Sequence, residues 1–214
     1  MRESDKVKYG KLLCDMKAGL DGFRYSHVES VYNECVRLSG LFGLTDDESD
    51  TLVTAAILHD IAKPFDRDSG QIALADGLGI ILTDDDAASY KTLHAITGAA
   101  LAQKCYPEMI TEGICECIRW HSTGKADMSI PEKLLYLADY IEPTRKFDDC
   151  KYLREYFYGL IEKGVSPEAA LDAALLVSLD MTIKELVDMR ANIHPDSLKA
   201  RNFLLNIVKR SGII

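Results

Sequence analysis

The sequence is poor in proline and glycine, 6 and 14 among 214 residues, and has no stretch in which apolar and polar residues alternate between turn signals. Both shortages argue against a sheet-rich fold. No apolar run approaches the ~20 residues that a membrane-spanning helix needs, and nothing of signal-peptide length follows the opening Met1-Arg2-Glu3-Ser4-Asp5-Lys6. Positive charge is also short: 25 Lys and Arg stand against 34 Asp and Glu, a formal net charge of −9. A nucleic-acid polymer is therefore excluded as the expected partner, because such binding rests on clustered cations that release counterions. A small anionic ligand is not excluded, since a metal ion and a few local cations overrule the global field. The six cysteines, Cys14, Cys35, Cys105, Cys115, Cys117 and Cys150, contain no CxxC pair and sit in amphipathic runs. They are expected to be reduced core thiols of a cytoplasmic protein.

Hydrophobic residues, rich in Leu, Ala and Ile, make up 47% of the chain. That is enough for a substantial core, and the expectation is an all-α helical bundle forming one domain over residues 1–214. The periodicity gives roughly eight helices without a dividing linker. The first spans about 4–18 and closes at Gly19. The second is marked by a capping-box pattern at Ser26 and Glu29, which puts His27 in a first turn. Thr45 and Glu48 repeat that pattern before a helix running to His59-Asp60, where Pro64 prevents extension. Residues 64–89 contain Asp66-Arg67-Asp68-Ser69-Gly70 and Asp84-Asp85-Asp86 and are expected to be loop-like, a lid over a pocket. The acidic triplet is expected to cap the helix after it. Further helices are expected over about 88–104, from Pro107 to His121, from Ile130 to Ile141, and over about 149–163, 167–189 and 195–210. His194, just before Pro195, is expected to flank or cap the last of these.

The chemistry-bearing residues are scattered along these helices. His59 and Asp60 follow an apolar run, Leu52 to Leu58, while His27, His94, His121 and Asp139 stand beside small or apolar neighbours. A single helical histidine is more often a packed or capping side chain than a ligand. A His-Asp doublet at the end of an apolar helix is harder to explain structurally, because a burial-prone His or Asp without a partner costs several kcal/mol. One shared cation would satisfy all six. Neutral imidazole and carboxylate suit iron, manganese, zinc or magnesium, and such a metal activates water near neutral pH. Lys63 and Arg145 would ordinarily be solvated helix-end cations, but they stand beside the candidate ligands. No Ser-His-Asp order with a nucleophile elbow is present.

Five ordered segments carry a family resemblance: Arg24-Tyr-Ser-His27, Leu58-His-Asp-Ile-Ala-Lys63, Leu93-His94-Ala, His121-Ser-Thr-Gly124 and Ala138-Asp-Tyr-Ile-Glu-Pro-Thr-Arg145. They resemble the HD superfamily of metal-dependent phosphohydrolases and, within it, the bacterial YqeK-type proteins, over about residues 20–205. The resemblance implies an HD-type bundle whose motif-bearing part covers about 20–145, with helices over about 149–210 completing a nucleotide pocket. It also implies an iron-dependent enzyme, or one using manganese or another divalent metal, that cleaves diadenosine tetraphosphate symmetrically into two ADP. One or two ions are expected, with His27, His59, Asp60 and Asp139 as ligands. His94 and His121 would bind phosphate, complete a second metal position or protonate the leaving group. Arg24, Lys63 and Arg145 would face phosphate, Ser122 would flank His121, and Asp60 would also orient water. Thr182 and Lys184 fall where the family contacts nucleotide, although Asp180 to Lys184 departs from the usual motif. Two alternatives stay open: HD chemistry on another nucleotide, and a nucleotide sensor without turnover. The partner is a small-molecule nucleotide, and a homodimer is left open.

Overall fold

Apolar residues fill every position from Leu52 to Leu58 except Thr54, and all of them are buried, as are His59 and Asp60. A helix that is apolar all round must lie at the centre of a bundle. In the computed structural model, which describes residues 3–66 and 69–212, that helix is α3 (Asp46–Leu58). It packs against α1 (Glu3–Gly19), α2 (Gly22–Leu41), α7 (Glu112–Trp120) and α8 (Ile130–Ile141). The shell is completed by α4 (Gly70–Gly77), α5 (Asp84–Ala88), α6 (Leu93–Cys105), α9 (Asp148–Glu162), α10 (Pro167–Asp188) and α11 (Pro195–Ser211). Among the described residues there is no strand, and the protein is a single all-α domain. One buried cluster joins Leu12 of α1, Leu38 of α2, Ile57 of α3, Ile118 of α7, Leu135 of α8, Phe157 of α9 and Leu175 of α10. Full burial of each such side chain stabilises by roughly 1.5–3 kcal/mol.

Helix ends follow the capping chemistry. Thr45 and Glu48 form a reciprocal capping box on α3, and Ser129 with Glu132 forms another on α8. At its far end α3 tightens: Ile61 N–H donates to Leu58 C=O at 3.0 Å and Lys63 N–H to Asp60 C=O at 3.0 Å, leading into a 3-10 turn, Lys63–Phe65, that holds Pro64. The doublet therefore lies where the chain turns off the central helix.

Several expectations need correcting. Helix α2 starts a full turn before Ser26, because Asp21 is its N-cap and accepts the Arg24 N–H at 2.9 Å, so His27 lies in the second turn. Helix α7 begins at Glu112 rather than Pro107, since Thr111 Oγ1 accepts the Ile114 N–H and Pro107 sits in the preceding turn. Two of the six thiols are exposed: Cys14 lies off the α1 face that buries Tyr9, Leu12 and Met16, and Cys105 is the last residue of α6. His194 caps α11 as expected, accepting the Asp196 N–H at 3.2 Å.

The described part of residues 64–89 is folded, although Arg67 and Asp68 lie outside the described residues. Gln71 of α4, fully buried, donates to Ala62 C=O at 2.7 Å and Asp66 Oδ1 at 2.8 Å, and its carbonyl accepts Thr97 Oγ1–H at 2.5 Å. Gly70 is required, because a Cβ there would stand 2.4 Å from the Phe65 carbonyl oxygen. Of the acidic triplet, Asp86 is buried rather than solvated. It accepts from Thr83 in a capping box and faces His194 Nε2 at 3.2 Å and Arg119 Nη2 at 3.5 Å, tying α5 to α7 and α11. These bonds hold the described part of the segment against the bundle, so it is helical rather than loop-like. Replacing Asp86 by Ala leaves the partly buried Arg119 without its anion and should cost about 1–3 kcal/mol. Urea unfolding measures the loss, and amide exchange should quicken first around residues 83–92.

Candidate metal centre

The ends of four helices, α3, α6, α7 and α8, and the second turn of α2 converge on one centre. His59 is the C-cap of α3, His121 the C-cap of α7, Asp139 lies in the last turn of α8, and His94 in the first turn of α6. Three of the histidines share one local device. Nδ1 of His59 lies 2.7 Å from Ala56 C=O, that of His94 2.9 Å from Lys91 C=O, and that of His121 2.7 Å from Ile118 C=O. A carbonyl only accepts, so Nδ1 carries a hydrogen in each ring and Nε2 is the atom turned into the centre. His27 is oriented differently: its Nδ1 faces the buried Glu142 carboxylate at 3.1 Å.

His27 Nε2 lies 3.0 Å from Asp139 Oδ1, which is 3.9 Å from His59 Nε2. On the other side, Asp60 Oδ1 lies 3.8 Å from His59 Nε2 and 3.6 Å from His94 Nε2. Two groups have donor atoms close enough to share an ion: His27, His59 and Asp139, and His59, Asp60 and His121. His59 belongs to both. Its Nε2 is buried with no hydrogen-bond partner among the described residues, a costly state for a lone pair. The Nε2 atoms of His94 and His121 face each other at 3.1 Å, lone pair to lone pair. Both observations fit a cation held among these side chains, and the mixed nitrogen and oxygen donors suit a divalent metal.

The electrostatics agree. Burial would push the Asp60 carboxyl up, but the His59 and His94 rings and Lys63 hold it far below the usual range. Burial also opposes ionisation of Asp139, and Arg145 and His27 overcome it, keeping the carboxyl well down. Burial, with Lys63 and His121 nearby, drives His94 well below its ordinary value, and burial with His59 beside it takes His121 down to about 4. Both are neutral at pH 7. For His27, burial lowers the value, but hydrogen bonds to Asp139 and Glu142 outweigh it and raise it to about 9. Burial would raise Glu142, but hydrogen bonds from His27, Ser30 and Thr144 hold it down to about 2, so His27 stands between two ionised carboxylates.

The cations lie on the open side. Arg145 Nη2 donates to Asp139 Oδ1 at 2.7 Å, Lys63 Nζ lies 3.4 Å from Asp66, and Arg24 Nε lies 3.4 Å from Asp21. Ser122 Oγ donates to His94 Nε2 at 3.2 Å. Two cavities open from the centre. One, about 560 Å³, runs past His121, Ser122 and Asp139 to Thr182 of α10, and the other, about 670 Å³, runs past His27, Asp60, Lys63 and Arg24. Lys184 is not brought in: it lies two residues around the helix from Thr182, is mostly exposed, and pairs with Asp188 at 2.9 Å. Sequence reasoning passed over Glu142, although it stands inside the Ala138–Arg145 segment. It also passed over Phe23 and Phe147, whose signal is an exposed aromatic ring next to a site motif.

Fold and site together define an all-helical protein with a histidine–carboxylate centre for a divalent metal. A family model described as the HD domain matches residues 24–144, more than half of the chain, and the chain belongs to that family. It is 31% identical over 198 residues to a Halalkalibacterium halodurans protein named symmetrical bis(5'-nucleosyl)-tetraphosphatase, covering 92% of this chain and 96% of that one. A Bacillus subtilis protein of the same name is 30% identical over 195 residues, covering 91% and 96%. A crystal structure from Clostridium acetobutylicum, described as a predicted HD superfamily hydrolase involved in NAD metabolism, superposes with a TM-score of 0.78 at 31% identity, covering 93% of this chain and 97% of that one.

Proposed function

We propose that this protein is a metal-dependent hydrolase that splits diadenosine tetraphosphate symmetrically into two ADP. The observation that carries the reading is the convergence of His27, His59, Asp60 and Asp139 around the partnerless His59 Nε2, with Lys63 and Arg145 on the open side. The similarity to two bacterial proteins named for that reaction, over more than nine-tenths of the chain, supports the substrate. The metal we propose is iron, as one or two ions in the two ligand groups that share His59; when bound it supplies Lewis acidity and an activated water.

The chain's own residues do the rest. Lys63 and Arg145 neutralise the charge that spreads over the phosphoryl oxygens as the anhydride bond lengthens. Asp60, fully ionised, accepts a hydrogen bond from the attacking water and aims it. His94 and His121 are neutral with Nδ1 as the bound donor, so each offers an acceptor at Nε2, which suits a ligand or a water-orienting role better than the proton donor the sequence suggested. The leaving group is a nucleoside diphosphate, a stable anion that needs charge neutralisation more than a proton. Thr182, together with Asp149 and Cys150 of α9, lines the first cavity, which supports α9 and α10 as the part that completes the nucleotide pocket around the motif-bearing residues 24–144. A net charge of −9, and the lack among the described residues of a helix long and apolar enough to cross a membrane, favour a cytoplasmic enzyme acting on a small nucleotide.

The test is anaerobic turnover of diadenosine tetraphosphate by iron-loaded protein, with products resolved by ion exchange and metal measured on the same sample. ADP as the sole product is expected. AMP with ATP would mean attack at a different phosphorus, and no product from metal-replete protein would turn the assignment to another nucleotide or to a sensor.

A further inference from the structure

The two cavities at the centre differ in chemistry although the substrate proposed above is symmetric. They meet at Arg145 and Phe147, which line both. The first is mixed in character, walled by Tyr136, Tyr140, Asp149 and Thr182. The second has a more apolar lining, to which Phe23, in the first turn of α2, and Phe147, just before α9, both contribute. Phe23 is 86% and Phe147 69% exposed, among the most exposed large apolar side chains described. Neither supports the core, so their cost in water has no compensation within the bundle. The rim of the same cavity carries Arg24, Lys63 and Lys146; of its two acidic residues, Glu142 is engaged by His27 and Thr144, and Asp60 belongs to the candidate metal centre. Aromatic faces behind a cationic rim, leading to a metal centre, form the complement of a purine base followed by a phosphate chain.

We infer that the two nucleosides occupy these unlike cavities, one base stacking against the Phe23 and Phe147 rings and the other lying in the mixed cavity beside Thr182, with the phosphate chain crossing the centre past Arg145. This rests on the activity proposed above. Cavities of about 560 and 670 Å³ are each ample for one nucleoside, within the roughly 300–1,000 Å³ of ordinary ligand pockets. The consequence is a symmetric substrate held asymmetrically: the two ADP products leave from inequivalent sites. Phe23 is a specificity residue for one half only, and its interaction is the same before and during reaction, so it acts on binding rather than on the chemical step.

The experiment combines ADP binding by equilibrium dialysis to the metal-loaded protein with steady-state kinetics on diadenosine tetraphosphate, for wild type and Phe23→Ala. Wild type should bind two ADP per chain in two affinity classes. Phe23→Ala should weaken one class about tenfold, leave the other unchanged, and raise KM by a similar factor with kcat retained; Phe23→Tyr should restore both. The exposure of Phe23 makes misfolding of the variant an unlikely confounder, and circular dichroism checks it. One ADP per chain, equal weakening of both classes, or an unchanged KM would overturn the inference. Absence of turnover by metal-replete wild type would overturn the proposed activity instead, and the ADP stoichiometry would still decide whether two sites exist.

Discussion

Replacing Asp139 by alanine should remove the metal from the protein and lower hydrolysis by at least about 10³-fold, roughly 4 kcal/mol in the barrier, with helical content unchanged. The magnitude follows from how much converges on one carboxylate. Asp139 Oδ1 lies 3.0 Å from His27 Nε2, 3.9 Å from His59 Nε2 and 2.7 Å from Arg145 Nη2. Its loss takes a donor from the first ligand group, releases Arg145, and leaves His27 oriented by Glu142 alone. The fold survives because Asp139 sits in the last turn of α8, whose packing rests on Leu134, Leu135 and Leu137 behind it. Metal analysis after gel filtration and circular dichroism check the two halves of this expectation. Full activity at full metal content would remove Asp139 from the ligand set.

The second large effect belongs to a cation. Replacing Lys63 by alanine should lower kcat/KM by about 10²–10³-fold, the usual consequence of losing one preorganised group that meets developing charge, while metal content stays at the wild-type level. Lys63 lies outside both ligand groups, at the start of the 3-10 turn beyond the doublet, and its ammonium pairs with Asp66 at 3.4 Å. It lines the second cavity with Arg24 and Arg145, so its charge is available to phosphate. Comparing the two variants separates the roles: Asp139→Ala should lose metal and activity together, Lys63→Ala activity alone. Loss of metal from Lys63→Ala would show that its charge also holds the doublet in place, through its proximity to Asp60.

Much of this was legible in the chain. The capping boxes at Thr45 and Ser129, the proline starts of α10 and α11, and the span of α8 are local chemistry, fixed within a few residues of each other. The start of α2 was misplaced because Asp21 and Ser26 both offer a cap and only packing chooses between them. The fold of residues 69–89 was missed for a related reason. Helices of eight and five residues are too short to be stable by propensity, and α4 exists because Gln71 finds Ala62 and Thr97, and α5 because Asp86 finds Arg119 and His194. Polar composition reads as loop wherever the partners are distant.

The candidate site divides along the same line. Residue types, the His59-Asp60 adjacency and the five ordered segments sufficed to place the chain in its family and to nominate candidate ligands, since the metal chemistry of imidazole and carboxylate resides in the side chains themselves. Tertiary structure alone decided which nitrogen of each ring faces the centre, that Glu142 backs His27, that Lys184 points away from the centre, and that two unlike cavities meet at Arg145 and Phe147. Those outcomes depend on where α2, α6, α7 and α8 come to rest around the end of α3. Long-range packing of apolar faces sets that arrangement, and no local stretch of sequence encodes it.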